Sequence, residues 1–521
     1  MIWPLVDPIR ASKGWQRRLE MKAGHDRMII PSGEVDSWSK SADVIVVGYG
    51  IAGVCAAIAA REAGAAALVL ERSSGCSGST AAAAGHFYLG GGTAVQIACG
   101  FHDDAQALAD YLTAVASAPD EQKISAFAQG SAAHFAWLEA RGVPFDRSYY
   151  PLKAVIQPGR ECLIWTGNER VWPFRDRARP APRGHKVAFD GLEGGGALAL
   201  NNLAAHAQSI GVNAVFDIKV DALVCEGDRI VGVRARLFGE RRYFRALRGV
   251  VLAAGGFSRN AEMMERYVPR FRETNIMSGP YDDGTAINLG MAAGGATEHM
   301  DGFLLTSPIY PPEQLVKGIL VNRDGQRFVA EDSYHTRTSI EIADQPGGIA
   351  YLIVDADIFA YPEWSKAANQ RLIDGFSTIA DMERALELPA KALQRLMAEY
   401  NRNAAAGSDP DFAKHPDWLK PLDAGPWAAF DFSFGRAVFN GFTLGGLRIS
   451  ASGEVLNEKG MTVPGLYAAG ACSSMLAHDA RDYASGISLS AGSFFGRQAG
   501  HHAALRGQAP QNDGLMPSRC L

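Results

Sequence analysis

Residues 43 to 71 read DVIVVGYGIAGVCAAIAAREAGAAALVLE, and no other stretch of the chain limits its fold so strongly. The apolar, β-branched run DVIVV predicts a buried strand, and GYGIAG after it opens an Ala-rich helix. The run ALVLE predicts a second strand that ends in Glu71. Gly48, Gly50 and Gly53 match G-x-G-x-x-G in the context that gives the motif meaning. The first permits a tight turn, the second lets backbone approach a pyrophosphate, and the third allows close helix packing. The helix N-terminus then faces the phosphates, and Glu71, 18 residues after the last glycine, accepts the ribose hydroxyls. This predicts a Rossmann-like α/β domain, with the choice between FAD and NAD still open.

The next stretch favours a flavin. Residues 72 to 92, RSSGCSGSTAAAAGHFYLGGG, are small and hydroxyl-rich where an NAD enzyme usually continues with another βαβ unit. Cys76 reads as small filler and His86 as a hydrogen-bonded loop residue. Residues 213 to 260 alternate β-branched and polar residues with turns at EGDR and FGER, which predicts a meander closing on the buried strand GVVLAAGGF. PGLYAAGACSS near the C-terminus repeats that strand-to-glycine character, so three glycine-ended strands converge on one cofactor.

At 521 residues the chain is too long for one ordinary core. A net charge of −5 excludes the basic surplus of a nucleic-acid binder. The seven cysteines are scattered without a CxxC pair, so neither a disulfide framework nor a metal site is indicated, and a cytoplasmic location is expected. Residues 1–41 carry charges throughout without an apolar run of signal-peptide length, so neither a signal peptide nor a membrane anchor is expected there. They read as an N-terminal extension, an irregular strap whose Trp3, Pro4, Trp15 and Trp38 pack on the body. The FAD-binding domain is expected at 42–300 and 432–508, and a C-terminal tail at 509–521. An α+β capping domain is expected between its two parts, at 301–431. There GILVNRDGQRFVAED suggests a hairpin, and ADMERALELPAKALQRLMAEYNRNAA has helical periodicity with Leu386, Leu388, Leu393 and Leu396 as core positions. Two crossings between domains predict a hinge and a cleft.

The order of VIVVGYGIAGVCAAIAAREAGAAALVLER, the serine-rich loop, VVLAAGGFSRN, DDGTAINLGMAAGGA, GILVNRDGQRFVAED and GGLRISASGEVLNEKGMTVPGLYAAG resembles the fumarate reductase and succinate dehydrogenase flavoprotein superfamily over residues 42 to about 505. The resemblance implies FAD as cofactor. It implies contacts from Gly48, Gly50, Ile51, Ala52, Gly53, Glu71, Arg72, Ser79, Thr80, Gly85, Val220, Ala254, Gly255, Asp283, Gly470, Ser488 and Leu489. Succinate dehydrogenases attach the flavin through a histidine between the Ser and Thr of a similar run. Ser79 and Thr80 are adjacent here, which implies non-covalent FAD.

Soluble fumarate reductases place an arginine in a C-terminal loop before an FGRxAG helix, and alignment on FFGRQAG sets Tyr483 in its place. Where their cap supplies a proton-donating arginine, RFVAEDSYHTRT offers Tyr334 and His335, with Arg337 two residues beyond. A dicarboxylate needs fixed positive charge, and a phenol gives only a hydrogen bond. RDYASGIS instead resembles the 3-ketosteroid dehydrogenases, the Δ4-(5α) class more closely than the Δ1 class. That resemblance implies desaturation beside a steroid ketone, with Tyr483 as the base, Ser485 tuning its phenol, Tyr334 orienting or polarising, and the Gly486 backbone as a carbonyl contact. It implies a steroid substrate and an unidentified electron acceptor. A Δ1 enzyme, and a fumarate-reductase-like reductase with Arg481 and Arg337 in the arginine roles, are the alternatives.

Overall fold

The computed structural model describes residues 27–506. Its main sheet takes the strands β1 (Ile29–Pro31), β2 (Lys40–Val47), β3 (Ala67–Leu70), β4 (Asn213–Val215), β5 (Ile218–Glu226), β6 (Arg229–Leu237) and β7 (Glu240–Leu252) in the order β1-β5-β6-β7-β2-β3-β4. β2 is parallel to β3 and to β7, while β5, β6 and β7 form the antiparallel meander. The last four residues of β2 and all of β3 are buried, as strands covered on both faces must be. Helix α1 (Ile51–Glu62) covers one face, and its first ten residues are buried.

Two sequence expectations are corrected on this sheet. The meander begins at Ile218, because Asp217 takes φ 58° and turns the chain, so Asn213–Val215 leaves it and pairs with β3 at the opposite edge. The strap is not irregular throughout. Ile29–Pro31 pairs in parallel with β5, and Trp38 packs on the small cluster of Ile30, Ala222, Val224 and Val231. The expectations for Trp3, Pro4 and Trp15 lie outside the described residues.

Between the two parts of this unit stands a four-stranded sheet in the order 319–322, 350–355, 427–431, 371–376, and helix α2 (His335–Asp344) packs on the strand Phe303–Thr306. The expected hairpin here is half formed. Arg327 makes one bridge to Val321, and its side chain is drawn instead to Glu331 and Asp409, at 2.8 Å each, in a buried ion cluster. The long helical stretch is two helices, Ile379–Ala385 and Ala392–Ala405, separated where Pro389 stands between Glu387 and Lys391, both at positive φ. Leu386, Leu388 and Leu393 are core residues, and Leu396 packs against that core.

The chain returns through β8 (Glu454–Leu456) and β9 (Thr462–Ala468) and ends in helix α3 (Ile487–Leu505). β9 pairs in parallel with β7, so β2, β7 and β9 are neighbours and Gly48, Gly255 and Gly470 follow their ends. α3 lies against α1 through Gly492, Gly496 and Gly500, spaced by four, facing a stripe that includes Ala52 and Ala56. A methyl on Gly500 would lie 2.0 Å from the Ala56 carbonyl oxygen, and one on Gly496 would lie 2.3 Å from that of Ala52.

Backbone cannot yield there as a flexible side chain can. Gly500→Ala is therefore expected to destabilise the protein by about 1–3 kcal/mol, whereas Gly33→Ala, with nothing within 4 Å, should stay within about 0.5 kcal/mol. Thermal unfolding of the two variants checks this, and equal midpoints would reject the close approach.

Candidate active site

At the glycine-ended edge of the sheet lies one cavity of about 900 Å³. Its first wall is the turn after β2. Gly48 sits at φ 101°, and a Cβ there would meet the Ala253 carbonyl oxygen at 2.4 Å, so the turn closes only with glycine. Gly53 packs against the same turn, where a Cβ would lie 2.0 Å from the Gly48 carbonyl oxygen. Thr80 Oγ1 accepts from the Ile51 N–H at 3.1 Å and thereby sits at the N-terminus of α1.

Glu71 lines the cavity with its carboxylate already oriented. Oε2 accepts from the Tyr49 N–H at 2.6 Å, and Oε1 accepts from the Ser73 N–H at 2.8 Å and the Ser73 hydroxyl at 2.5 Å. Three of about four acceptor positions are used, and one remains for a ligand hydroxyl. Across the cavity the segment 277–285 is tied to the serine-rich loop. Arg72 pairs with Asp283 at 2.6 Å, Ser79 donates to Asp282 at 2.5 Å, and the Gly279 N–H donates to Ser79 at 2.8 Å. Ile51, Ala52, Gly85, Val220, Ala254, Gly255, Gly470, Ser488 and Leu489 also line this volume, and Gly53 stands behind it. Backbone bare of side chains, a helix N-terminus and a presented carboxylate fit a long dinucleotide such as FAD.

His86, expected as a hydrogen-bonded residue, lies on the short strand His86–Tyr88 with Nε2 2.8 Å from Gln157. Burial lowers its pKa to about 4, so the ring is neutral.

The far half of the cavity brings the predicted catalytic residues together, with one change of partner. Tyr483 and Ser485 line it, and so does Gly486, whose φ of 97° turns the chain into α3. A Cβ on Gly486 would collide with the backbone of residues 86–88, at 2.6 Å from the Tyr88 nitrogen. Tyr334, the residue before α2, is only 2% exposed and does not line the cavity. Its hydroxyl bonds to Ser485 Oγ. The expected pairing of Ser485 with Tyr483 is thus replaced. The Tyr483 hydroxyl donates to Ser488 Oγ at 3.2 Å, one helical step inside α3. Burial pushes the Tyr483 phenol up to about 12, opposed by the Ser488 contacts, and pushes Tyr334 well above the usual tyrosine value.

The two arginines held in reserve are engaged elsewhere. Arg481 pairs with Glu341 at 2.9 Å, Asp344 and Asp479, and so ties α2 to the 481–486 loop, a tie that Thr336 repeats by donating to the Ala480 carbonyl at 2.7 Å. Arg337 lies over the Phe174 ring at 5.0 Å. Neither lines the cavity, whose lining contains only Arg72 and Lys219 as fixed cations among the described residues. Both stand on the segments that carry Glu71 and Val220, away from Tyr483. The Phe442 ring lies 5.9 Å from that of Tyr483, and Leu304, Met475 and Leu476 line the same cavity, as do the polar Thr306, His335 and Asn440.

His335 is a residue the sequence left without a role. Its Nδ1 lies 2.7 Å from Thr306 Oγ1, its ring is 4.0 Å from that of Tyr334, and burial lowers its pKa to about 3. No local pattern marks it, because its partner comes from a strand 29 residues earlier.

Two outcomes test the cofactor half. Acid precipitation should release all yellow colour into the supernatant, and pelleted flavin would contradict a non-covalent site. Glu71→Ala should weaken FAD binding by roughly 10- to 100-fold, read by equilibrium dialysis. Unchanged affinity would remove Glu71 from the ribose contact.

Comparison with known proteins agrees with this geometry. The FAD binding domain family matches residues 43–488. The 3-oxo-5-alpha-steroid 4-dehydrogenase of Comamonas testosteroni is 27% identical, covering 86% of this chain and 97% of the relative. The NADH:fumarate oxidoreductase of Klebsiella pneumoniae is also 27% identical, over 90% of this chain and 48% of its own length. Among solved structures, the 3-ketosteroid-delta4-(5alpha)-dehydrogenase from Rhodococcus jostii RHA1, in complex with 4-androstene-3,17-dione, is 40% identical with a TM-score of 0.86, covering 92% of this chain and 99% of that one. The chain belongs to the FAD binding domain family and is an FAD-dependent oxidoreductase.

Proposed function

We propose that this protein is a 3-ketosteroid dehydrogenase of the Δ4-(5α) kind, which introduces a double bond between C4 and C5 of a 5α-3-ketosteroid. One observation carries the reading: the cavity presents Tyr483 and Ser485, and the only arginine and lysine that line it among the described residues, Arg72 and Lys219, stand on the segments of Glu71 and Val220. A dicarboxylate brought there would lose its hydration without gaining a counter-charge. A neutral, rigid polycyclic ketone matches the surface. The likeness to the Comamonas and Rhodococcus proteins supports the same choice and favours the 4,5-position.

FAD, when bound along Gly48, Glu71 and the N-terminus of α3, supplies the acceptor for the hydride that leaves C5. The remaining chemistry belongs to side chains. Tyr483 is held protonated by its burial, and with a ketone present its single O–H turns from Ser488 to the ketone oxygen, while the dipole at the N-terminal end of α3 favours the negative charge that grows there. This raises the acidity of the C4 hydrogens.

Ser485 Oγ takes the C4 proton as one unit with Tyr334. After the pair has lost one proton to water through the cavity that Ser485 faces, the other bridges the two oxygens and the negative charge is shared between them. Receipt of the C4 proton restores the neutral pair. This exchanges the expected roles: Tyr483 polarises the ketone and the Ser485–Tyr334 pair acts as the base, because Ser485 faces the cavity and Tyr334 can act only through it.

Tyr483→Phe and Ser485→Ala should each keep FAD and fold, yet lower the rate of anaerobic flavin bleaching by a 5α-3-ketosteroid about 100-fold or more. Brisk fumarate reduction that survives Tyr483→Phe would overturn the reading, and a product unsaturated at C1–C2 would move the chain to the Δ1 class.

The base must be deprotonated, and burial holds the pKa of its Tyr334 member well above the usual tyrosine value, opposed by the Ser485 hydrogen bond. Below that pKa the active fraction falls as pH falls, so the bleaching rate should rise by about tenfold per pH unit through the neutral range. A rate that falls with rising pH would contradict a buried hydroxyl base.

A further inference from the structure

We infer that Asn168 is a positioning residue for the reaction, setting the register between Tyr334 and Ser485. The inference rests on the function proposed above. The Tyr334 and Ser485 hydroxyls meet although their residues are 151 positions apart, one on the segment leading into α2 and the other on the loop leading into α3. A single turn, Thr166 to Glu169, holds the backbone of both. Asn168 Oδ1 accepts from the Tyr334 N–H at 2.8 Å, and the Thr166 carbonyl accepts from the Ser485 N–H at 3.0 Å.

The turn itself is pinned from a third side. The Asn168 N–H donates to the Tyr111 hydroxyl at 2.8 Å, the Gly167 N–H donates to Glu169 Oε2 at 3.0 Å, and the Tyr88 hydroxyl donates to Glu169 Oε1 at 2.8 Å. Asn168, Thr166 and Glu169 are at most 1% exposed. The Thr166–Glu169 turn is therefore a fixed gauge, and its two contacts decide how far the Tyr334 backbone stands from that of Ser485.

Asn168 also carries a cost that packing alone would not keep. Its Oδ1 must face the Tyr334 N–H, which fixes the amide orientation. Its Nδ2 is then buried without a partner. An apolar residue of similar volume would remove that orphaned group but would leave the Tyr334 N–H unpaired. What the asparagine uniquely contributes is the acceptor at the head of α2. A shift of the order of 1 Å between reacting groups can lower a rate 100-fold with binding nearly intact, so the effect should fall on kcat and spare KM.

The test compares Asn168→Leu, Asn168→Ala and Asn168→Asp in FAD-loaded protein, with a 5α-3-ketosteroid as the probe. Leu and Ala should lower kcat about 10- to 100-fold with FAD content and KM near wild type. Asp keeps an oxygen toward Tyr334 and should recover most of kcat. Hydrogen exchange supplies a readout independent of turnover, in which the Tyr334 amide should exchange faster in Leu and Ala and at the wild-type rate in Asp. Where Leu fails to fold, Ala against Asp decides. Unchanged kcat in Leu or Ala, or equal loss in Asp and Ala, would overturn the inference. Should the wild type oxidise no ketosteroid, the proposed function fails by itself. Faster exchange at Tyr334 would then still support the placement by Asn168, and unchanged exchange would reject it.

Discussion

The close approach of α3 to α1 is the contact on which the rest of the site depends. Gly496 and Gly500 bring the α3 backbone against the carbonyls of Ala52 and Ala56, with no room for a methyl group. Two helix N-termini are thereby fixed in one cavity. That of α1 stands at the Gly48 turn and Thr80, and that of α3 stands at Gly486 with Tyr483 and Ser488 beside it. The Ile51 N–H is taken by Thr80 and the Ile487 N–H by the Ala484 carbonyl, and the dipole of each helix favours negative charge at that end. A looser pair of helices would leave each site intact and spoil the distance between them.

Onto this frame the inserted unit delivers one hydroxyl and takes one arginine out of use. Thr336 and Arg481 dock α2 on the loop before α3, so Tyr334 arrives behind Ser485 and the guanidinium of Arg481 is spent on Glu341, Asp344 and Asp479. The same docking thus builds the Ser485–Tyr334 pair and engages Arg481. In the function proposed above, the base and the lack of a counter-charge for a carboxylate would both follow from this one interface.

Much of this could be read in the sequence. G-x-G-x-x-G between two strands led to the Gly48 turn and Glu71, since each glycine answers a local steric demand visible in a few consecutive residues. The loop RDYASGIS led to Tyr483 and Ser485 for a similar reason: a short motif stands at a helix start. The pairing of the hydroxyls was not legible. Ser485 and Ser488 line the cavity and Tyr334 stands behind it, and which oxygen meets which is set by segments far apart in sequence. Arg327 and Arg481 show the same limit, because what engages an arginine lies in segments far away in sequence. Pro389 stands between the two helices that the periodicity reads as one stretch.

The central claim is that Tyr483 holds the ketone and the Ser485–Tyr334 pair holds the proton. A crystal structure of the FAD-loaded protein with a 4-ene-3-ketosteroid product tests it most directly. The account predicts the C3 oxygen at about 3 Å from the Tyr483 hydroxyl, C4 beside Ser485 Oγ, and C5 over the flavin. A ketone seated at the opposite end of the cavity, or a C3 oxygen bonded to Ser485 with Tyr483 remote from it, would contradict the account.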